Sequence, residues 1–260
     1  MDNEEIQRLA IRQLADYDAR TPGLRLARPL ELTIAQAYAL QSEVAYLREQ
    51  RGEKVIGYKI GCTSQAVQEQ LGIAQPIFGR LYDSECHRTG VRLSVGCYAN
   101  LAVEGEMAVR LSRDLPSSPL SEKEYLDAVD TLFPVIELHH YVLRNGKTSC
   151  TELIANNGMH GGFVLAEYET RCRGEVIRVG NLTVRIDEVE MGVVTEPWTM
   201  GGPSASLRWL AGRLAEFGLR LLRGQVVLTG SPLRLFPVGP CTRIVVDAWP
   251  LGQSVAEIDP

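Results

Sequence analysis

The run Leu101-Ala102-Val103-Glu104-Gly105-Glu106-Met107-Ala108-Val109 sets two carboxylates, one glycine apart, inside an otherwise apolar stretch. Alternate side chains of a strand point the same way, so Glu104 and Glu106 stand side by side. Two carboxylates in apolar surroundings repel unless a cation or a shared proton joins them. Carboxylate oxygens select hard cations, here Mg²⁺ or Mn²⁺. The alternative is a solvated edge strand with two outward glutamates. Gly105 leaves the opposite face bare, which permits a bulge or a close approach of neighbouring structure.

Glu137 follows the apolar run Phe133-Pro134-Val135-Ile136. It is either a charge at a strand end or a buried, paired carboxylate, and in the second case it completes a three-carboxylate site. Lys59 lies in Gly57-Tyr58-Lys59-Ile60-Gly61, where it either snorkels outward or is buried for function. Beside a metal-bound acid, such a lysine anchors a carboxylate or moves a proton. It is therefore expected to matter for turnover more than for folding. His139 shares the Glu137 face and His140 the other, so a histidine-containing site competes with simple hydrogen-bonded histidines. His160 sits in the glycine-rich turn Asn156–Gly162, the type of segment where ligands meet backbone. No G-x-S-x-G elbow supports a nucleophilic serine.

The chain has 260 residues, 45% of them hydrophobic, enough for a sizeable core in one large domain or two small ones. A net charge of -5 and 7% aromatics argue against a nucleic-acid partner. No apolar run approaches the roughly 20 residues that span a bilayer. The acidic opening MDNEEIQRLA has no signal-peptide core, and the six cysteines are scattered, so a reducing cytoplasm is expected. Helices are predicted over 4–20, stopped by Pro22 and Gly23, and from a Thr33–Gln36 capping box to Gly52. A short helix from Ser64 to Leu71 and one from Ser121 follow. A longer one runs from Ser204 and closes at Gly224. Strands are expected at 55–61, twice within 92–111, and in FPVIELHHYVL, GGFVLAEY, EVIRVGNLTVRIDEVEMG, QVVLTG and TRIVVDAW. Strands and helices do not alternate regularly, which disfavours a doubly wound sheet. The reading is a helical arm, 1–54, packed on a strand-rich body, 55–260. Nucleotide-binding motifs are absent.

In order along the chain, GYKIGCTSQAVQEQLG, QPIFGRLY, VEGEMAVRL, FPVIEL, IANNGMHGGFVL and LRWLAGRLAEFGLRLLRGQVVLTGS resemble one family. It is the 2-keto-4-pentenoate hydratase and 4-oxalocrotonate decarboxylase group of the fumarylacetoacetate hydrolase superfamily. The resemblance covers about residues 5–255. It implies an α+β fold, a mixed β-roll or barrel-like sandwich with an N-terminal helical arm. It implies Mg²⁺ or Mn²⁺ held by Glu104, Glu106 and Glu137, and a catalytic role for Lys59. Substrate contacts are expected from Phe78, Asn157, His160 and Ser231 in the matched segments. A small 2-oxo acid substrate, a homo-oligomer and an association with a pathway enzyme are implied as well.

The chain departs from the family pattern at two places. His140, Tyr141 and Val142 replace an Asp-Ser-Arg triplet, and Met159 and His160 replace two serines. The expectation for His160 is that it faces the metal cavity and contacts the distal end of the substrate. The competing reading has it pointing outward as a cap of its turn. The implied activity is hydration of a 2-hydroxydienoate or 2-oxo-enoate acid. A 2-oxo acid can chelate the cation through a carboxylate oxygen and its C2 oxygen, which stabilises the enolate. Decarboxylation of a vinylogous 2-oxo diacid uses the same electron sink and is the alternative. A non-catalytic relative is a third reading, which metal content would separate.

Overall fold

A computed structural model of the chain describes residues 2–20, 31–143, 148–172 and 178–260. Helix α1 (Asn3–Ala19) starts at Asp2, whose side chain accepts from the Glu5 N–H. Helix α2 (Ile34–Gln50) starts at Thr33, and both bonds of the Thr33–Gln36 capping box are made. The Pro22–Gly23 stop lies outside the described residues. Strand β1 (Val55–Gly61) leads through α3 (Gln65–Leu71) to β2 (Ile77–Tyr82). Helix α3 is capped by Ser64 and ends at Gly72 in the left-handed conformation, φ 66.

Strands β3 (Cys86–Arg88), β4 (Val91–Ser94) and β5 (Ala102–Leu111) follow. Helix α4 (Glu122–Asp127) carries the expected Ser121–Glu124 capping box and precedes β6 (Val129–His139). Next come α5 (Cys150–Ala155), β7 (His160–Leu165), β8 (Thr170–Arg171), β9 (Leu182–Ile186) and β10 (Val189–Val194). The EVIRVG part of the expected strand pattern lies partly outside the described residues. Helix α6 (Pro203–Ala215) precedes β11 (Val226–Leu228), β12 (Phe236–Pro237), β13 (Thr242–Ala248) and β14 (Gln253–Asp259). Helix α6 ends well short of Gly224. Gly218 at φ 68 turns the chain, and the Leu219 N–H closes on the Leu214 carbonyl at 3.0 Å.

The strands form two sheets. The larger runs β2-β1-β11-β5-β6-β7-β3, with β12 on β5 and β8 on β6; the smaller runs β10-β9-β13-β14-β4. The two sheets share one core, which takes Val103, Met107 and Ile136 from the first and Val184, Ile244 and Val246 from the second. This is the mixed α+β sandwich expected from the sequence. The arm helices dock by buried polar contacts: the Gln41 amide donates to the Phe78 carbonyl at 3.0 Å and the Ile154 carbonyl at 2.7 Å. Arg48 pairs with Glu85 at 2.6 Å and lies over the Tyr82 ring.

Gly105 explains its own place between the two glutamates. A Cβ there would stand 2.5 Å from Val184 Cγ2 and 3.2 Å from both Val246 methyls. The bare face predicted from the sequence is therefore one against which the second sheet presses closely. Gly105→Ala is expected to cost about 1–3 kcal/mol through overpacking. Denaturant unfolding should show a lower midpoint at unchanged slope; an unchanged midpoint would remove the close-approach argument.

Candidate metal centre

Antiparallel pairing of β5 with β6 sets Glu104 opposite Glu137, and Ala102 opposite His139. Directly opposed residues share a face, so Glu104, Glu106, Glu137 and His139 all project from one side of this ladder. Further along that face, Ala108, Phe133, Val135, Phe163 and Leu228 form a small second core. The carboxylates thus sit at the edge of an apolar floor. Lys59 is registered with Leu228 on β11, and Leu228 with Ala108 on β5. The register puts Lys59 on the same face, and the curl of the sheet brings its ammonium to 2.8 Å from Glu137 Oε1.

Glu137, Glu106 and Lys59 are almost completely buried, at 0%, 1% and 2% exposure. Burial alone would lower the Lys59 ammonium, but Glu137, Glu104 and Glu106 outweigh it and hold the group above the ordinary lysine value. Glu106 is pushed well up by burial and by the neighbouring Glu137 and Glu104 carboxylates. Burial also pushes Glu137 upward, yet Lys59, His139 and His160 prevail and hold it well below the usual carboxylate range.

Donor atoms of Glu104, Glu137 and His139 lie within 4.8 Å of one another. His139 Nε2 stands 3.2 Å from Glu104 Oε2 and 3.7 Å from Glu137 Oε2. This compact trio holds His139 where the sequence reading had Glu106. Glu106 Oε2 instead accepts the Gly230 N–H at 2.8 Å. All four side chains nevertheless share the face, and two features fit a hard cation there. Glu137 Oε2 is buried without a hydrogen-bond partner. Glu106 is raised by its burial and by the Glu137 and Glu104 carboxylates packed beside it, which Lys59 offsets only in part.

A cavity of about 590 Å³ opens above this cluster, with Lys59, Glu104 and His139 in its wall. Most of the remaining wall is apolar, including Ile60, Ile77, Ala102, Leu153 and Leu233. The four expected substrate contacts divide. Ser231 lines the cavity, and its hydroxyl donates to the Gly105 carbonyl at 3.1 Å, bracing the strand behind the glutamates. Phe78 is absent from the described lining: strand alternation gives that wall Ile77 and stacks Phe78 on Tyr38, ring centroids 4.5 Å apart. Asn157 is also absent from the lining, because its amide bridges the Arg80 backbone, accepting at 2.6 Å and donating at 2.8 Å.

His160 matches neither expectation. It points inward, is 1% exposed, and meets Glu137 Oε1 through Nδ1 at 2.8 Å, behind the cavity wall. His140 is structural: Nδ1 accepts the Ala99 N–H, and Nε2 donates to the Tyr17 carbonyl, both at 2.9 Å. Asn100 and Arg234 line the cavity and were not singled out from the sequence, and Tyr141, marked there only as a departure from the family pattern, lines it too. Their signal was slight, since each is an ordinary polar loop residue.

An acidic cluster with a buried lysine, set on a curled mixed sheet, makes a site suited to a divalent cation and a small acid. No family model matches the chain. It is 30% identical over 225 residues to a 2-hydroxyhexa-2,4-dienoate hydratase of Comamonas testosteroni, covering 83% of this chain and 85% of that protein. It is 32% identical over 195 residues to a 2-keto-4-pentenoate hydratase of Burkholderia vietnamiensis, covering 75% and 74%. Among solved structures, 4-oxalocrotonate decarboxylase from Pseudomonas putida G7, complexed with magnesium and adipate, superposes with a TM-score of 0.91. That match is 25% identical and covers 99% of this chain and 98% of the other. The chain belongs to the 2-keto-4-pentenoate hydratase and 4-oxalocrotonate decarboxylase family.

Proposed function

We propose that the protein is a divalent-metal-dependent hydro-lyase that adds water to a small 2-hydroxydienoate or 2-oxo-enoate acid. One observation carries this reading: three side chains able to ligate a metal, Glu104, Glu137 and His139, and a buried lysine stand together at one end of an otherwise mostly apolar cavity. A divalent cation held by Glu104, Glu106 and Glu137, with His139 alongside, supplies a Lewis acid for the 2-oxo group. Lys59 carries its proton, held by three carboxylates, so it acts as a cationic anchor for the substrate carboxylate or as a proton donor near the C2 oxygen. The apolar wall takes the carbon chain and limits water around the acid end. Ketonisation of the dienol leaves a Michael acceptor, to which water adds at the far end. The glutamates are read as ligands, and none is assigned as the base.

Decarboxylation of a vinylogous 2-oxo diacid is the second reading, and the structural match to 4-oxalocrotonate decarboxylase favours it. Against it stands the lining, where Arg234 is the cation besides Lys59 among the described residues, and it is exposed. A second carboxylate finds little to neutralise it along Ile77, Leu153 and Leu233. Ultraviolet loss and CO₂ release should be followed on both substrate classes with Mg²⁺- or Mn²⁺-loaded protein. Absorbance loss without CO₂ is expected. Stoichiometric CO₂ would turn the assignment to decarboxylation, and no turnover at full metal occupancy would sink both. On the same reading the enzyme works in the cytoplasm, as a homo-oligomer associated with an enzyme of the same pathway. Among the described residues, no helix is long and apolar enough to cross a membrane.

A further inference from the structure

We propose that His160 is a positioning residue of the metal centre: together with Lys59 it clamps Oε1 of Glu137, so that Oε2 is the oxygen offered to the cation. This rests on the reading of Glu137 as a ligand. Strand β7 begins at His160, which is registered with His139 on β6, next to the strand position of Glu137. His160 Nδ1 and Lys59 Nζ each lie 2.8 Å from Glu137 Oε1. The second oxygen, Oε2, is buried and receives no N–H, and it is the one that faces His139 Nε2 at 3.7 Å.

A carboxylate has two chemically equal oxygens, and a half-turn of its last torsion exchanges them. Two N–H donors on one oxygen remove that freedom, and with it the cost of ordering the ligand when metal binds. Lys59 cannot guarantee the clamp alone, because the proposed reaction draws its ammonium toward the substrate. His160 has no such second duty. Its ring is enclosed against Phe163, centroids 6.0 Å apart, and Nε2 is buried without a partner. The neighbouring backbone is pressed against β6, for a Cβ at Gly161 would stand 2.6 Å from His140 Cβ. The imidazole, its side chain fully buried, is therefore held beside Glu137.

The test titrates Mn²⁺ into the full-length protein by calorimetry, using His160→Leu, His160→Asn and Glu137→Gln. Asparagine keeps a side-chain N–H near the place of Nδ1, and leucine removes it. His160→Leu is expected to weaken Mn²⁺ binding about 10–100-fold, as loss of a partner behind a ligand typically does. His160→Asn should stay within about threefold of wild type if the donor is what matters. Wild-type affinity in folded His160→Leu, or an equal loss in His160→Asn, would overturn the clamp. An arm without variants reads the metal-free wild-type protein by ¹⁵N-histidine NMR. It should show His160 with its proton on Nδ1, and an Nε2–H tautomer would overturn the proposal even if His160→Leu fails to fold. Wild-type Mn²⁺ affinity in Glu137→Gln would instead remove Glu137 from the ligand set, a result separable from failure of the His160 role.

Discussion

Lys59→Met is expected to lower kcat/KM by about 10²–10⁴-fold, the range of a lost acid–base or charge-positioning group. It should also cost the metal-free protein about 3–5 kcal/mol, because removing one member of a buried pair leaves the other uncompensated. The sequence reading gave Lys59 weight in turnover above folding. Burial at 2% exposure, 2.8 Å from a fully buried Glu137, gives Lys59 weight in folding as well. The ammonium is the cation that keeps the carboxylates together when no metal is bound. Two measurements decide the matter: unfolding free energy with and without saturating Mn²⁺, and kcat/KM on the turned-over dienoate. The stability loss should shrink in Mn²⁺, which supplies the missing positive charge. Unchanged turnover would remove Lys59 from the mechanism, and unchanged metal-free stability would remove it from the architecture.

Glu106→Gln is expected to weaken Mg²⁺ or Mn²⁺ binding by at least about 10-fold. It should also alter the proton balance of binding. Burial and two adjacent carboxylates raise Glu106, so it gives up its proton less readily than an ordinary carboxyl, and a ligand must lose its proton to bind. Apparent affinity should therefore rise with pH. Wild-type protein should release protons as metal binds, read from calorimetric enthalpies in buffers of different ionisation heat. Glu106→Gln should release fewer. At about 1,000 times Kd, metal should add about 4 kcal/mol to the wild type, or about 10 °C in Tm, and less to the variant. Wild-type affinity and proton release in Glu106→Gln would leave Glu104, Glu137 and His139 as the working trio.

Much of the local structure was written in short sequence signals. The Thr33–Gln36 and Ser121–Glu124 boxes cap helices where expected, and Gly72 stops α3. Each is a contact between residues a few positions apart, which spacing alone specifies. Helix α6 shows the limit of that logic, since Gly218 ends the helix before the later Gly224 can. The apolar face reads on past the point where the backbone turns.

The alternation of β5 by itself set Glu104 and Glu106 on one face and gave Gly105 the other. The apolar frame of Glu137 and Lys59 marked both as candidates for burial. Which face turned inward was decided by the curl of the sheet and the press of Val184 and Val246 on Gly105, contacts between distant segments. The same long-range packing sent Ile77 rather than Phe78 into the cavity, placed His139 among the ligand atoms, and laid His160 behind Glu137. Strand period specifies neighbours along and across one face. The meeting of side chains from β1, β5, β6 and β7 depends on register and curvature, which only the closed fold supplies.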